Sequence, residues 1–473
     1  MLRKVATTGV DLESVYDQTL GRIKEQKRGR SRLGMEVLMW VSHAERPLQI
    51  DELSHALAVE IGATELDPEN VPPQDTVLGS CLGLAVVDKE TSTVRLIHYT
   101  LQEYLSRPGV LPNAHITLGE MCLTYLNYDE VRGLPADGTL SLGGMPFLKY
   151  SSLYWGRHAK IGLSDYAKSL VLELLNQYDD HISSVLLSKR VHPPWMLQLN
   201  YRPFPGLHCA SYFGIYEVIT VLIQMEGCDI NQGDRVGFTP LMWAAWKGHQ
   251  GAVALLLTRG DIDPDKPDNY GRTPLGGASF NGHEGVVRLL LARADVDPNK
   301  PDKRVRTPLW GACSNGHEGV ARLLLARDDV SPNKQNNHGE TPFLGASRNG
   351  REGVVRLLLA RDDVDHHKPD ILDQNPLSQA SFYGHEAVVK LLLAQDDVNP
   401  DKPDYAGNTP LRRASQQGVV RLLLARDDVN PNKRGSDGDT PLVHALRCRC
   451  EGVVRLLLAR DGVDPNIDRK SVV

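Results

Sequence analysis

At 473 residues the chain exceeds one ordinary core and calls for two or three folded units. A net charge of −6 argues against a dedicated nucleic-acid binder, and 41% hydrophobic residues suit a folded, soluble protein. Seven cysteines without a Cys-x-x-Cys pair argue against a disulfide framework or a cysteine-rich zinc site, and no run approaches the roughly 18 apolar residues of a membrane helix. Met1-Leu2-Arg3-Lys4 opens no signal-peptide core, so the expected compartment is cytoplasmic, with the nucleus as the alternative.

After an N-terminal tail at 1–13, Val15 to Gln26 and Arg32 to His43 have helical spacing. Pro47 to Ile50 reads as a short extended piece, and Asp51 is placed to cap a helix through Val59. Leu84–Asp88 and Thr93–His98 read as strands around a polar turn, and Thr100 to Ser106 as another helix. Three helices and a hairpin predict a winged-helix domain over 14–108. Its recognition helix would fall within 65–84, which holds Glu65, Asp67, Glu69 and Asp75 but no Lys or Arg. Phosphate demands the opposite sign, so no nucleic-acid partner is expected.

The words Val15–Leu20, Trp40–Leu48, Asp51–Leu57 and His98-Tyr-Thr-Leu-Gln-Glu-Tyr104 resemble the winged-helix module of fungal NACHT–ankyrin proteins, also named after GPI inositol-deacylase-like proteins. Cys122–Leu126 and Pro146–Trp155 resemble the helical spacer that follows it. The resemblance implies a place between a nucleotide-binding NACHT domain and a repeat array, in an NLR-like receptor of the signal-transduction NTPase (STAND) class. It also implies that His98 can face a nucleotide phosphate. No Gly-x-x-x-x-Gly-Lys-[Ser/Thr] occurs, so a phosphate cradle of that type is not expected and His98 reads as a core or strand-end histidine. Two readings of the absent cradle stay open: a gene model that begins late, or a natural fragment without its motor. The deacylase name confers no hydrolase.

Residues 109–204 read as a helical spacer. Leu170–Leu175 is its clearest stripe, and it ends in the Pro-rich words at 192–195 and 202–205. From 205 to 473 a word recurs. Thr239, Thr273, Thr307 and Thr341, each followed by Pro, stand 34 residues apart, Asn375-Pro376 fills the next slot, and Thr409 and Thr440 follow. Threonine caps a helix whose first turn suits proline, Gly282 suits a left-handed turn, and Val286, Leu289 and Leu290 form the stripe of a second helix. Asp-Val-Asp-Pro-Asn at 295–299 closes the unit as a loop.

This pattern resembles the ankyrin repeat, with about eight units. The expected fold is therefore mainly α, an ankyrin solenoid preceded by a winged helix and a helical spacer. Departures mark soft places. The family's histidine after Thr-Pro-Leu survives only as His208, and its slot holds Met242, Gly276, Trp310, Leu344, Ser378, Arg412 and Val443. Its loss is expected to weaken the turns. The interval from Thr409 to Thr440 is 31, and Arg449-Cys450 replaces Gly-His, so fraying is expected to begin in the last two units.

A stacked array offers a long face of first helices and turn tips, which binds a partner protein. Fixed offsets from Thr-Pro select Trp243, Trp246, Lys247, Phe280, Arg348, Phe382, Tyr383, Arg413 and Arg447 as candidate partner-binding residues, since exposed aromatics and arginines dominate interfaces. The competing reading is that the aromatics pack between repeats. A second ladder, Arg288, Arg322, Arg356, Lys390, Arg421 and Arg455, reads as a solvated face balanced by the Asp-Asp pairs at 328–329, 362–363 and 427–428. No catalytic residue is expected: His283-Glu284 and His385-Glu386 lack the second histidine of a zinc-protease helix, and no Gly-x-Ser-x-Gly occurs. His366-His367 has no third ligand nearby in sequence, so neither metal nor cofactor is expected. The expected function is a non-enzymatic interaction protein, the sensor arm of a fungal NLR-like receptor. The alternative is the regulatory part of a NACHT ATPase without its nucleotide-binding domain. No membrane and no small-molecule substrate is expected as a partner.

Overall fold

The computed structural model describes residues 12–136, 144–191 and 204–465. The Pro-rich stretch at 192–203 and most of the N-terminal tail lie outside them. The chain divides into two units, 1–229 and 230–473.

In the first unit, helices Leu12–Lys24, Arg28–His43 and Ile50–Leu57 precede Gln74–Ser80, a two-stranded hairpin and Tyr99–Leu105. Strand β1 (Ala85–Val87) pairs antiparallel with β2 (Val94–Leu96), Val86 opposite Arg95. The Ile50 helix is capped by Gln49 rather than Asp51. The Gln49 side chain accepts from the backbone of Glu52, and the Glu52 carboxylate accepts from the Gln49 N–H. Arg46 holds the same carboxylate at 2.6 Å.

The spacer shares the core of the winged helix. Trp40, fully buried on Arg28–His43, meets Phe147 at 5.3 Å and Tyr150 at 5.6 Å, both edge-on. Phe147 precedes helix Leu148–Ile161, which carries Tyr150, and Tyr125 of helix Ala114–Leu126 meets Phe147 at 5.2 Å. Buried beside them, His158 shares a ring-nitrogen contact of 2.9 Å with His115 and one of 3.0 Å with the Tyr150 hydroxyl. That hydroxyl accepts from the Glu45 N–H at 3.0 Å. The first helix pair, Gly206–Phe213 and Tyr216–Leu222, belongs to this unit too. Phe213 packs on Trp155 at 5.4 Å and lies over Gly156, where a β-carbon would come within 2.3 Å of the ring.

The second unit repeats one design. A first helix opens on Thr-Pro (Pro240–Lys247, Pro274–Asn281, Pro308–Asn315) and a second follows a left-handed glycine (Gln250–Leu256, Glu284–Leu291, Glu318–Leu325). The threonine oxygen accepts from the N–H three residues on: Thr239 from Met242, Thr273 from Gly276 and Thr307 from Trp310, each at 3.1 Å. Gly248, Gly282 and Gly316 take φ of 75°, 80° and 87°, where a β-carbon would be strained. On the second helices Val286, Val287 and Leu290 are buried, as are Val320, Ala321 and Leu324.

The turn tips of the array are held by their own side chains. An Asp or Asn at the turn tip recurs with the repeat. Oδ1 of Asp268 accepts from the N–H groups of Tyr270 and Arg272, and its Oδ2 accepts from the Arg272 guanidinium at 2.6 Å. Asp234, Asp302, Asn336, Asp370 and Asp404 repeat the two backbone bonds. Adjacent tips then join by backbone bonds such as Asn269 N–H to Val236 O and Lys303 N–H to Tyr270 O, both 2.9 Å.

In the shortened unit, the first helix is only Pro410–Arg413 and Ala414 leaves it in extended conformation. Buried Arg412 instead reaches Asp437 of the next unit. In the last unit Arg449 takes the left-handed turn at φ 57°.

Candidate partner-binding surface

The candidate residues separate by depth. Trp243 is 4% exposed, its ring centroid is 4.7 Å from that of Phe238, and its indole N–H donates to Oδ2 of Asp234 at 2.9 Å. It is a packing residue, which corrects its place among the exposed candidates. An offset of four from Thr-Pro aims it at its own turn tip. Trp246, three residues on, is half-buried and stacks on exposed Phe280 of the next repeat, centroids 6.0 Å apart and planes 18° from parallel. Both residues stand at offset seven.

Glycines lie beside the stacked residues. A β-carbon on Gly277 would lie 3.0 Å from the Trp246 ring, and one on Gly311 would lie 3.6 Å from the Phe280 backbone. The rings are thus contact residues between repeats and exposed surface at once.

Between Trp246, Phe280 and Trp310 lies a cleft of about 360 Å³. Arg272, Arg306 and Lys300 stand on its rim together with Asp302. The Arg272 guanidinium lies 5.0 Å from the centroid of Trp246 and 5.1 Å from that of Phe238. Arg306 lies 5.5 Å from Trp310 and is held at 2.6 Å by Asp302. The cleft offers flat apolar walls and oriented guanidinium groups, which suit an aromatic or carboxylate side chain. Reading offsets behind Thr-Pro missed Arg272, Arg306 and Trp310. The signal available was the arginine directly before Thr273 and Thr307.

Four of the remaining candidates, Arg348, Phe382, Tyr383 and Arg413, form a second group. Arg348 is held by Glu340, its guanidinium lies 5.5 Å from the Tyr383 ring, and it donates to the Tyr383 hydroxyl at 3.2 Å. Desolvation works against its charge, but the Tyr383 and Glu340 hydrogen bonds outweigh that and hold its pKa above the usual value. Arg413 lies 4.7 Å from the centroid of exposed Phe382 and is paired with Asp404 at 2.8 Å. Arg447 pairs with buried Asp439 at 2.5 Å, and Lys247 is exposed.

His98 lies at the N-terminus of Tyr99–Leu105. It is exposed, and its Nδ1 accepts from the Thr100 N–H at 3.3 Å, making it a helix cap rather than a core residue. The outer cations are exposed as expected; Arg356 pairs with Glu352 one turn earlier at 2.5 Å and Arg455 with Glu451 at 3.7 Å. The aspartates serve elsewhere. Asp329, Asp363 and Asp428 each grip the arginine two residues before, at 2.7, 2.8 and 2.7 Å. Those arginines donate onward to a carbonyl of the preceding repeat, as Arg327 does to Leu291 at 3.0 Å.

The pattern has relatives. Residues 207–302, 294–370 and 377–469 match the family model described as ankyrin repeats. Residues 20–115 match the model described as GPI inositol-deacylase, winged helix domain. Among solved structures, the chain is similar to the ankyrin repeat domain of Bcl-3, described as a unique member of the IkappaB protein family. That likeness has 29% identity, covers 46% of this chain and 99% of that one, and has a TM-score of 0.39. No curated protein matches the chain.

Proposed function

The chain belongs to the ankyrin-repeat family, and from that premise we propose that it captures a partner protein on the concave face of its array. The repeats point to a protein–protein interaction role, and their fold is typically a non-enzymatic module. The observation that carries our reading is the aromatic cleft of Trp246, Phe280 and Trp310 under Arg272 and Arg306. A partner segment that inserts an aromatic side chain flanked by a carboxylate meets complementary shape and charge there. Arg348 with Tyr383 and Arg413 with Phe382 offer a second anchor of the same kind. No described helix is long and apolar enough to cross a membrane, and the proposed compartment is the cytoplasm.

The test is a photo-crosslinking amino acid placed at Phe280 or, as a control, at exposed Arg322 of a second helix, in the full chain. A specific adduct from position 280 and none from 322 supports the reading. The reverse pattern moves the interface to the outer face.

The winged-helix match at 20–115 favours a further step, in which the array is the sensor arm of a fungal NLR-like receptor or the regulatory part of a NACHT ATPase. A transcript that continues upstream of the Met1 codon and encodes a phosphate-binding loop would support the ATPase form. Nucleotide binding by the present chain would count against the purely scaffolding one.

A further inference from the structure

The repeat acts as its own control, and it breaks its rules three times in one place. Pro264, Pro298, Pro332, Pro400 and Pro431 occupy one loop slot, and there His366 stands instead. The following slot holds Asn299, Asn333 and Asn432 or Asp265 and Asp401, and there His367 stands. In the ordinary loop this Asn clasps the next repeat by backbone: Asn333 Nδ2 donates to the Asp363 carbonyl at 2.7 Å, and its Oδ1 accepts from the Asp365 N–H at 2.8 Å. Thirty residues beyond His367 stands Asp397, counterpart of Asp261, Asp295, Asp329, Asp363 and Asp428. Each of those is held by an arginine two positions earlier, but before Asp397 that arginine is replaced by Gln395. Gln395 turns back to its own helix and donates to Leu391.

The Asp397 carboxylate is thereby released from a guanidinium and met by two imidazoles. Nε2 of His366 lies 3.2 Å from one of its oxygens and Nε2 of His367 lies 3.0 Å from the other. The three ligand atoms lie within 4.8 Å of one another. These hydrogen bonds hold the Asp397 carboxyl down to about 2, first through His367 and then His366. The group sits at the mouth of a cleft of about 250 Å³ whose wall includes Leu377 and Val398 and whose rim includes Lys402.

We propose that His366, His367 and Asp397 bind a divalent transition-metal ion of the zinc type, stapling two consecutive repeats together. Two imidazole nitrogens and one carboxylate oxygen are the donor set such ions prefer, and the solvent-facing side leaves a fourth position for water. Binding asks only that each neutral ring carry its hydrogen on Nδ1, so that Nε2 turns from donor to ligand. The third ligand was out of reach of sequence reading because it lies in the next repeat, one stacking step away.

The test is calorimetric titration of zinc chloride into the chelator-stripped full chain, with cobalt(II) absorption as a reporter of ligand geometry. One equivalent is expected to bind and to raise the melting temperature. His367→Asn restores the residue that other repeats use in this slot, so the fold should survive while zinc affinity falls by about tenfold to a hundredfold or more. Gln395→Arg removes no ligand but returns a guanidinium to Asp397, and it should weaken zinc to a similar degree. Circular dichroism on both variants shows that the repeats persist. The proposal is overturned if the parent chain binds no zinc. It is equally overturned if zinc binds with unchanged affinity to both variants, which would place the ion elsewhere.

Discussion

Histidine does opposite work in the two units. In the first unit His158 and His181 are buried and kept neutral, with pKa values pushed down by burial to about 3 and about 4. In the array His283, His317 and His385 stand near the surface. Each places Nε2 at 2.9–3.0 Å from a carbonyl of the preceding repeat, at Trp246, Phe280 and Arg348. One region uses imidazole as a small aromatic inside a non-local core, and the other uses it as a link between neighbours. A core built from distant segments should fail together, whereas a stack should fail unit by unit.

The largest expected effect tests the shared core. Trp40→Ala should cost about 3–5 kcal/mol and unfold winged helix and spacer in a single transition, while the repeats keep their own melting step. Calorimetry resolves the two. Separate melting of winged helix and spacer would break the comparison. Trp243→Ala should cost nearly as much but lower protection in hydrogen exchange most around its own turn tip, where Phe238 and Asp234 hold it.

Acid should separate the units next. For His158 and His181 the folded pKa lies below the unfolded value near 6.5. Their contribution is therefore complete above about pH 6.5 and is lost as pH falls toward 4 and then 3, by at most about 1.4 kcal/mol per pH unit for each group. In the array, Asp295, Asp329, Asp363 and Asp428 are depressed first by their arginine hydrogen bonds, so what they contribute is lost only below the ordinary carboxylate range. His444, lowered by burial, adds a late share of the first behaviour at the last helix pair. Denaturant melts at pH 7 and pH 5 should weaken the first unit more than the second, and His158→Gln should remove part of the difference. Equal losses in both units would contradict the assignment.

Smaller effects probe the stack. His317→Ala removes one link and should cost about 1 kcal/mol, seen as faster amide exchange in the two repeats it joins. Gln416 and Cys450 stand in that slot in the last two units without such a bond to the preceding repeat, so exchange there should already be fast in the parent chain. Phe280→Ala should cost about 0.5–1 kcal/mol in stability, the worth of one ring pair, and yet weaken partner capture severalfold or more.

Much of the fold can be read from the chain. Thr239 and its counterparts cap as their position requires, Gly282 turns left-handed, and the spacing of Val286 and Leu290 buries one face of a helix. These are local consequences of neighbouring residues. What escaped depends on residues brought together from elsewhere. Trp243 and Trp246 lie three apart on one helix face, and only the turn tip carrying Asp234 decides which is buried. The turn-tip aspartates were visible every 34 residues, but that they hold their turns requires the geometry of Asp268 with Arg272. The cap at Gln49 escaped because Asp51 is the stronger capping residue by type, while Arg46 and Glu52 decide the site.

The second helices have a consequence beyond stability. Glu-Gly-Val-Val-Arg-Leu-Leu-Leu-Ala-Arg reads the same at 284–293, 352–361 and 451–460, down to Arg288, Arg356 and Arg455, whose exposure leaves them free to vary. Packing asks only for the valines and leucines. Like interfaces let neighbouring units close on each other in the same way wherever the word recurs. The array is therefore modular: taking out one whole repeat would bring together two faces that already fit.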